Sequence, residues 1–119
     1  MNLKIHGTNG TKIAELSSES IVINNVQDAL DLMADADYSG ARSIIIKEEN
    51  IIPEFFKLAS GMAGEILQKF SNYNVRLAIV GNFSNYKSKN FRDFIYESNK
   101  YGRILFLSTV EEAINKFSI

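Results

Sequence analysis

Two neighbouring carboxylates, Glu48 and Glu49, come directly after the β-branched run Ile44–Ile46. Two carboxylates can act as acid and base when their surroundings separate their pKa values, and carboxylates also bind divalent cations. Adjacent residues of a strand point to opposite faces of a sheet, so this pair would meet only if the strand has already ended. We therefore interpret the two residues as part of a solvated loop, with ligand binding or acid–base chemistry as the alternative.

The start of a helix at Ser60 and Gly61 is the second segment that could bind a ligand, and Gly64 completes a Gly-x-x-Gly spacing. The N-terminus of a helix can bind a phosphate or another anion, although this segment lacks the lysine of a phosphate-binding loop. We expect the two glycines to allow close packing of the helix on a sheet. A switch or anion site at Ser60, Gly61 and Gly64 is the alternative.

Aromatic and basic side chains lie near these segments in the chain. Phe55 and Phe56 follow the only proline and are interpreted as plugs of the core or of an interface. Arg92 lies near the start of a later helix, where the helix dipole disfavours a cation and an anionic partner could complete a site. The residues predicted to line a binding site are Glu48, Glu49, Phe55, Phe56, Tyr86 and Arg92.

The composition excludes several kinds of catalytic site. The chain has no cysteine and a single histidine, His6, so thiol catalysis, zinc–thiolate sites and disulfides are excluded. One histidine cannot form a multi-histidine metal site, and His6 is interpreted as a surface residue of a strand. We expect no catalytic residues, no metal and no cofactor, and an enzyme is the less favoured interpretation.

The charges of the chain give no sign of a nucleic-acid partner. The net charge is −1, whereas a nucleic-acid binder usually carries a basic surface. Four aspartates, Asp28, Asp31, Asp35 and Asp37, form an acidic cluster on a predicted helix. Calcium loops need ligands at loop spacing around a glycine, so we interpret this cluster as a solvated helix face.

Strand and helix patterns alternate along the chain and would position the candidate residues. Apolar runs and alternating patterns predict strands at Leu3–His6, Thr11–Leu16, Ser43–Glu49, Val75–Gly81 and Arg103–Leu107. Apolar residues at helical spacing predict helices at Val26–Ala36, Gly61–Tyr73, Ser88–Lys100 and Val110–Phe117, with a helical turn at Pro53–Lys57. Asn9–Gly10 indicates a tight turn of a hairpin, and Ile21–Ile23 is interpreted as an extended entry to the first helix.

This order predicts one α/β domain over residues 1–119, with a mainly parallel sheet, an N-terminal antiparallel hairpin and about four helices. A domain of this size buries about two-thirds of its unfolded surface. The two longest loops follow parallel strands, so they meet at the rim where ligands usually bind. No apolar run reaches the roughly 20 residues of a membrane span, and no signal-peptide pattern is present. We therefore expect a cytoplasmic protein without a membrane partner.

Four stretches resemble a bacterial family described only as the domain of unknown function four-one-eight-zero. These stretches are Val26–Ala34, Pro53–Leu58, Gly61–Gly81 and Arg92–Lys100. The resemblance covers nearly the full length of the chain. It implies no known activity.

The order of elements also resembles the STAS domain, the fold of anti-sigma factor antagonists and of sulfate-transporter cytosolic domains. The segment Ala59–Gly64 is similar to the Asp-Ser-Ser-Gly-Leu-Gly segment of that family, whose first serine is phosphorylated by a partner kinase. Ala59 stands where that serine would be, and Leu58 where the aspartate would be, so Ser60 is the remaining candidate for a switch. Similarity of fold does not by itself transfer function.

Two classes of function follow from these patterns. The first is a non-enzymatic regulatory module that binds a protein partner through the region from Phe55 to Ser60 and the helix after it. The second is a small-molecule or anion-binding protein, or an unusual enzyme, with its site on the C-terminal rim of the sheet. A homodimer held by Phe55 and Phe56 is a third possibility.

Overall fold

The computed structural model describes residues 2–7, 11–84 and 86–118. Its first two strands, β1 (Asn2–His6) and β2 (Ile13–Ser17), pair antiparallel, with His6 opposite Ile13. The imidazole Nε2 of His6 lies 2.7 Å from a carboxylate oxygen of Glu15 on the neighbouring strand. The predicted hairpin is therefore confirmed, while its turn residues 8–10 lie outside the described residues.

Three further strands continue the sheet in parallel. They are β3 (Ser43–Lys47), β4 (Arg76–Val80) and β5 (Ile104–Leu107), and the five strands lie in the order β1-β2-β3-β4-β5. The prediction of a mainly parallel sheet with an antiparallel hairpin is confirmed. β3 is shorter than predicted, because residues 48–50 leave the strand and form a single 3₁₀ turn.

The boundaries of the four α-helices of the described residues all agree with the predicted boundaries to within two residues. They are α1 (Val26–Tyr38), α2 (Met62–Asn72), α3 (Lys89–Tyr101) and α4 (Val110–Phe117). Asn25, Ser88 and Thr109 each accept a hydrogen bond from a backbone N–H of the first turn that follows them. Such side chains satisfy donors that a helix leaves unpaired. Within the described ranges, no helix is both long and apolar enough to cross a membrane.

The sheet separates two hydrophobic cores. The larger core joins α1, α2 and α3 to one face of the sheet, where Ile44, Leu77 and Ile104 are fully buried. The smaller core joins Ala113 and Phe117 of α4 to Ile45, Ala78 and Leu105 on the other face. Crossovers between neighbouring parallel strands have one hand, so the first three helices share a face. Helix α4 follows the last strand and covers the remaining face.

Candidate functional site

The C-terminal rim of β3 is built around one buried side chain, Asn50, which is 1% exposed. Its amide nitrogen donates hydrogen bonds of 2.9 Å to the carbonyl oxygens of both Ser18 and Ser20. The backbone carbonyl oxygen of Asn50 accepts from the backbone N–H groups of Val22 and Ile23 at 2.7 and 3.1 Å. The segment after β2 is thus fixed against the turn after β3, and Ile23 makes an isolated parallel bridge with Ile51.

A cleft of about 600 Å³ lies at this rim. We call it the rim cleft; the residues that line it are Ile21, Glu48, Glu49, Ile51, Pro53, Phe56, Lys57 and Tyr86. Half of these residues are apolar, and the other half carry a carboxylate, an ammonium or a phenol. Such a combination of apolar side chains with a few polar groups is typical of ligand sites in proteins.

The polar end of the rim cleft is a hydrogen bond from the phenol of Tyr86 to Oε2 of Glu48. The pKa of Tyr86 is raised above the ordinary tyrosine value, mainly by burial and to a smaller extent by this hydrogen bond. The phenol therefore stays protonated at neutral pH and acts as a donor. The other carboxylate oxygen of Glu48 accepts no hydrogen bond from the described residues, which leaves it open to a donor from a ligand.

Gly81 provides the space in which the Glu48 side chain lies. A Cβ atom on Gly81 would come within 2.7 Å of Cβ of Glu48, a separation that real Cβ atoms essentially never show. The backbone N–H of Gly81 is held by the carbonyl of Leu107 at 3.0 Å, so the end of β4 has little freedom to move away. A residue with a side chain at this position would displace Glu48.

An aromatic cluster packs behind the rim cleft, and two of its rings, Phe56 and Tyr86, line the cleft. The ring of Phe56 stacks on Tyr86 with 5.6 Å between centroids and meets Phe55 and Phe91 edge-on at 5.0 and 6.0 Å. Phe83 stacks on Tyr86 from the loop after β4. These contacts fix the orientation of the phenol, since a ring held on several sides loses its rotational freedom.

The structure places Phe55 and Phe56 in the core, which is one of the two predicted alternatives. Phe55 is 1% exposed and Phe56 is 8% exposed, so both are plugs of the core rather than of an interface. Phe56 still contributes to the wall of the cleft, whereas Phe55 lies behind it and cannot contact a partner or ligand. A homodimer stays a prediction, and the burial of the two rings gives it no support.

The remaining predicted rim residues are only partly brought together. Because β3 ends at Lys47, both Glu48 and Glu49 lie in the 3₁₀ turn, but only Glu48 is half-buried and bonded to Tyr86. Glu49 is exposed at the edge of the cleft. Arg92 is exposed on α3 and is not among the residues that line the cleft, so its role in binding stays a prediction.

The helix start at Ser60 has a different construction from the predicted one. The Ser60 hydroxyl donates to the carbonyl of Glu54 at 2.7 Å and accepts from the backbone N–H of Met62 at 3.2 Å. A Cβ atom on Gly61 or Gly64 would meet nothing within 4 Å, so the prediction of close helix–sheet packing at these glycines is wrong. Gly61 instead has a φ of +76°, a left-handed conformation that favours glycine. A switch or anion site at the three residues stays a prediction.

Sequence reasoning missed Asn50, Gly81, Ile21 and Lys57. A glycine at the end of a buried strand and an asparagine after two glutamates were the signals available, and neither shows by itself which side chain it serves. The four aspartates of the acidic cluster lie along α1, where Asp28 accepts from the Asn24 backbone at 2.9 Å. No group of three or more acidic or histidine side chains suited to a metal ion occurs in residues 2–7, 11–84 and 86–118.

The fold is that of a small mixed α/β domain, and the rim cleft lies at the carboxyl ends of its parallel strands. The family described as Domain of unknown function (DUF4180) matches residues 8–117, and the chain belongs to this family. No curated protein and no solved structure matches the chain significantly. The STAS resemblance therefore stays a prediction from the order of elements and the segment around Ser60.

Proposed function

We propose that this protein is a non-enzymatic binding module whose rim cleft holds a small molecule. The observation that supports this proposal is the Tyr86–Glu48 hydrogen bond at the polar end of an apolar cleft. The cleft volume of about 600 Å³ lies within the range of roughly 300–1,000 Å³ that is typical of small-molecule sites. A cytoplasmic location is part of this proposal and rests on the sequence alone.

The side chains of the cleft indicate the chemistry of its ligand. Ile21, Ile51 and Phe56 offer an apolar surface, and the open oxygen of Glu48 accepts a hydrogen bond from a hydroxyl or amino group. Lys57 adds a cation to the lining. We therefore expect a ligand with an apolar body and at least one hydrogen-bond donor.

Binding without catalysis is favoured by the protonation of the polar pair. A tyrosine is protonated at neutral pH, and the raised pKa of Tyr86 extends this to higher pH, so the phenol serves as a hydrogen-bond donor rather than as a base or a nucleophile. Glu48 alone then serves as acceptor and counter-charge. A carboxylate on its own supports recognition more readily than a multi-step reaction.

A thermal-shift screen with a panel of small metabolites tests the proposal. We expect at least one compound to stabilise the wild type, because a ligand at 100 times its Kd adds about 2.7 kcal/mol to the free energy of unfolding. Glu48→Gln keeps the shape of the side chain and should weaken that ligand by about tenfold, since a charged hydrogen bond is lost. Glu65→Gln, on the exposed face of α2, is the matched control.

Two results would contradict the proposal. One is the absence of any stabilising compound across a broad panel. The other is a ligand whose affinity falls equally in Glu48→Gln and Glu65→Gln, because such a ligand responds to net charge rather than to the cleft.

A regulatory interaction controlled at Ser60 is the second candidate function. Ser60 is exposed, and its hydroxyl joins the start of α2 to the 3₁₀ turn Pro53–Phe56, which carries the wall of the cleft. A phosphate on this hydroxyl would remove the hydrogen bond to Glu54 and add charge at a helix start. The proposal therefore couples modification of Ser60 to the shape of the rim cleft and to a protein partner.

Affinity purification of the tagged protein, with mass spectrometry of the bait and of co-purifying proteins, tests this second function. We expect a partner whose affinity differs between the wild type, Ser60→Ala and Ser60→Asp, together with phosphate on Ser60. Equal affinities for the three proteins would reject the switch.

A further inference from the structure

A second cleft lies at the opposite end of the sheet, where the parallel strands begin. Each of four neighbouring strands starts with, or directly after, a basic residue: Lys12 before β2, Arg42 before β3, Arg76 in β4 and Arg103 before β5. All four residues line one cleft of about 420 Å³. We call it the basic cleft.

The register of the strands explains why these side chains meet. Arg76 lies opposite Ser43 in the β3–β4 pair, and its backbone N–H bonds to the carbonyl of Arg42 at 3.0 Å. The backbone N–H of Leu77 bonds to the carbonyl of Arg103 at 2.9 Å, so Arg76 and Arg103 start side by side. Neighbouring strands are about 4.8 Å apart, and the guanidinium groups therefore repel one another. Burial and the charge of Arg103 lower the pKa of Arg76.

Three cations of the basic cleft, Lys12, Arg76 and Arg103, form no ion pair with the residues that the structure describes. Arg42 pairs with Asp37 at 3.4 Å, but both of these side chains are more than half exposed. Arg76 instead donates to the carbonyl of Phe117 at 3.3 Å and lies over its ring at 4.7 Å. Among residues 2–7, 11–84 and 86–118, no Asp or Glu side chain lines the cleft.

One donor in the basic cleft is buried without an acceptor. The Nε atom of Arg103 has no hydrogen-bond partner in the described part of the chain. A buried donor without a partner costs about 1–3 kcal/mol, and here its cost adds to the repulsion between like charges. A bound anion would compensate the like charges that surround this donor. Because the chain as a whole has a net charge of −1, the residues outside the basic cleft together carry a net negative charge.

We propose that the basic cleft binds the phosphate group of a small phosphorylated molecule. A phosphate has three acceptor oxygens and up to two negative charges, which matches several arginine donors that converge with one lysine. A monocarboxylate has one charge and two oxygens and would leave most of these cations uncompensated. A cleft of about 420 Å³ fits a small molecule, whereas a nucleic acid requires a longer basic surface.

A titration at constant ionic strength tests this proposal. Glycerol phosphate and inorganic phosphate are added in place of an ionically equivalent amount of sodium chloride, and binding is followed by calorimetry. The side-chain Nε–H signal of Arg103 in NMR spectra reports the site directly. We expect saturable binding of at least glycerol phosphate and a shift of the Arg103 signal with the same dissociation constant.

Three variants locate the binding. Arg103→Gln should weaken glycerol phosphate by about tenfold or more, since a charge-assisted hydrogen bond is lost. Arg42→Gln changes an exposed side chain, so we expect little effect on stability, and it should also weaken the binding of glycerol phosphate. Lys100→Gln removes one charge from the exposed end of α3 and should leave the affinity unchanged.

The outcomes separate a phosphate site from non-specific attraction. Tighter binding of glycerol phosphate than of inorganic phosphate supports a phosphorylated molecule, and equal binding of the two supports a site for the phosphate group alone. The proposal is overturned if wild-type binding does not saturate, if the Arg103 signal stays unchanged, or if Lys100→Gln weakens binding as much as Arg42→Gln does. Because the rim cleft lies at the other end of the strands, these results are independent of the function proposed for it.

Discussion

The phenol of Tyr86 is placed to satisfy Glu48, and its removal should have a measurable cost. Tyr86→Phe keeps the ring contacts with Phe56 and Phe83 but leaves the half-buried carboxylate without its donor. We expect the free energy of unfolding to fall by about 1–2 kcal/mol in urea titrations. Tyr96→Phe alters an exposed phenol and should have no effect. Equal stability of Tyr86→Phe and the wild type would mean that the hydrogen bond contributes nothing.

The raised pKa of Tyr86 also predicts a dependence on pH. A group whose pKa is higher in the folded state stabilises the fold below its unfolded pKa, which is about 10 for tyrosine, and this contribution is lost as the pH rises. The difference in stability between the wild type and Tyr86→Phe should therefore be constant near neutral pH and shrink above about pH 10. Urea titrations of both proteins across the alkaline range check this. A difference that stays constant throughout that range would contradict the raised pKa.

The two glycines at the start of α2 should respond in opposite directions to replacement by alanine. Gly64 lies in the helix with open space around it, so Gly64→Ala should stabilise the protein by about 0.5–1 kcal/mol. Gly61 has a φ of +76°, so Gly61→Ala should destabilise it by about 1 kcal/mol. Thermal unfolding of the two variants measures both effects. Destabilisation by Gly64→Ala would restore the close-packing interpretation that the structure rejects.

At the scale of elements, Asn50 joins two pieces of chain that are distant in sequence, its own turn after β3 and the segment between β2 and α1. Its side chain holds the carbonyls of Ser18 and Ser20, and its own backbone carbonyl holds the segment that leads into α1. Asn50→Ala should lower the free energy of unfolding by about 2 kcal/mol, since the two hydrogen bonds from the buried amide to the carbonyls of Ser18 and Ser20 are lost. Asn90→Ala, exposed at the start of α3, is the control. If both variants unfold at the same urea concentration, Asn50 does not organise the rim.

The sequence predicted the elements well because each is determined by local signals. Ile44–Ile46 indicated a strand covered on both faces, and Ser88 and Thr109 indicated helix starts, and all three predictions are confirmed. Such signals depend on side-chain spacing and capping within a few residues. The extent of β3 was predicted less well. The 3₁₀ turn at Glu48 is held by Asn50 through contacts with residues about thirty positions away.

The candidate site was predictable only where topology determines it. Parallel strands and long loops pointed to the C-terminal rim, and the rim cleft lies there. Which side chains meet depends on packing between elements: Tyr86 reaches Glu48 across 38 positions of sequence, while Arg92 points elsewhere. The basic cleft was invisible for the same reason, because Lys12, Arg42, Arg76 and Arg103 are regularly spaced only in the folded sheet.

At the scale of the whole molecule, one sheet separates two clefts of different chemistry. The rim cleft combines an apolar floor with a carboxylate, and the basic cleft combines four cations with a single nearby aromatic ring. Sequential strand order places every parallel strand start at one end and every carboxyl end at the other. A signal between the two ends would have to pass through β3 and β4, whose side chains are almost all buried. These central strands are the most constrained part of the fold.

The distribution of stability across the sheet follows from this arrangement. β3 is paired on both sides and covered on both faces, whereas β1 is paired only with β2 and has exposed or half-buried side chains throughout. Amides of β3 and β4 should therefore exchange with solvent deuterium only through global unfolding, and those of β1 through local opening at much lower free energy. Hydrogen exchange followed by NMR at increasing urea measures both. If β1 amides are as protected as those of β3, the hairpin is part of the central cooperative unit, and the edge of the sheet is stabilised by more than its pairing with β2.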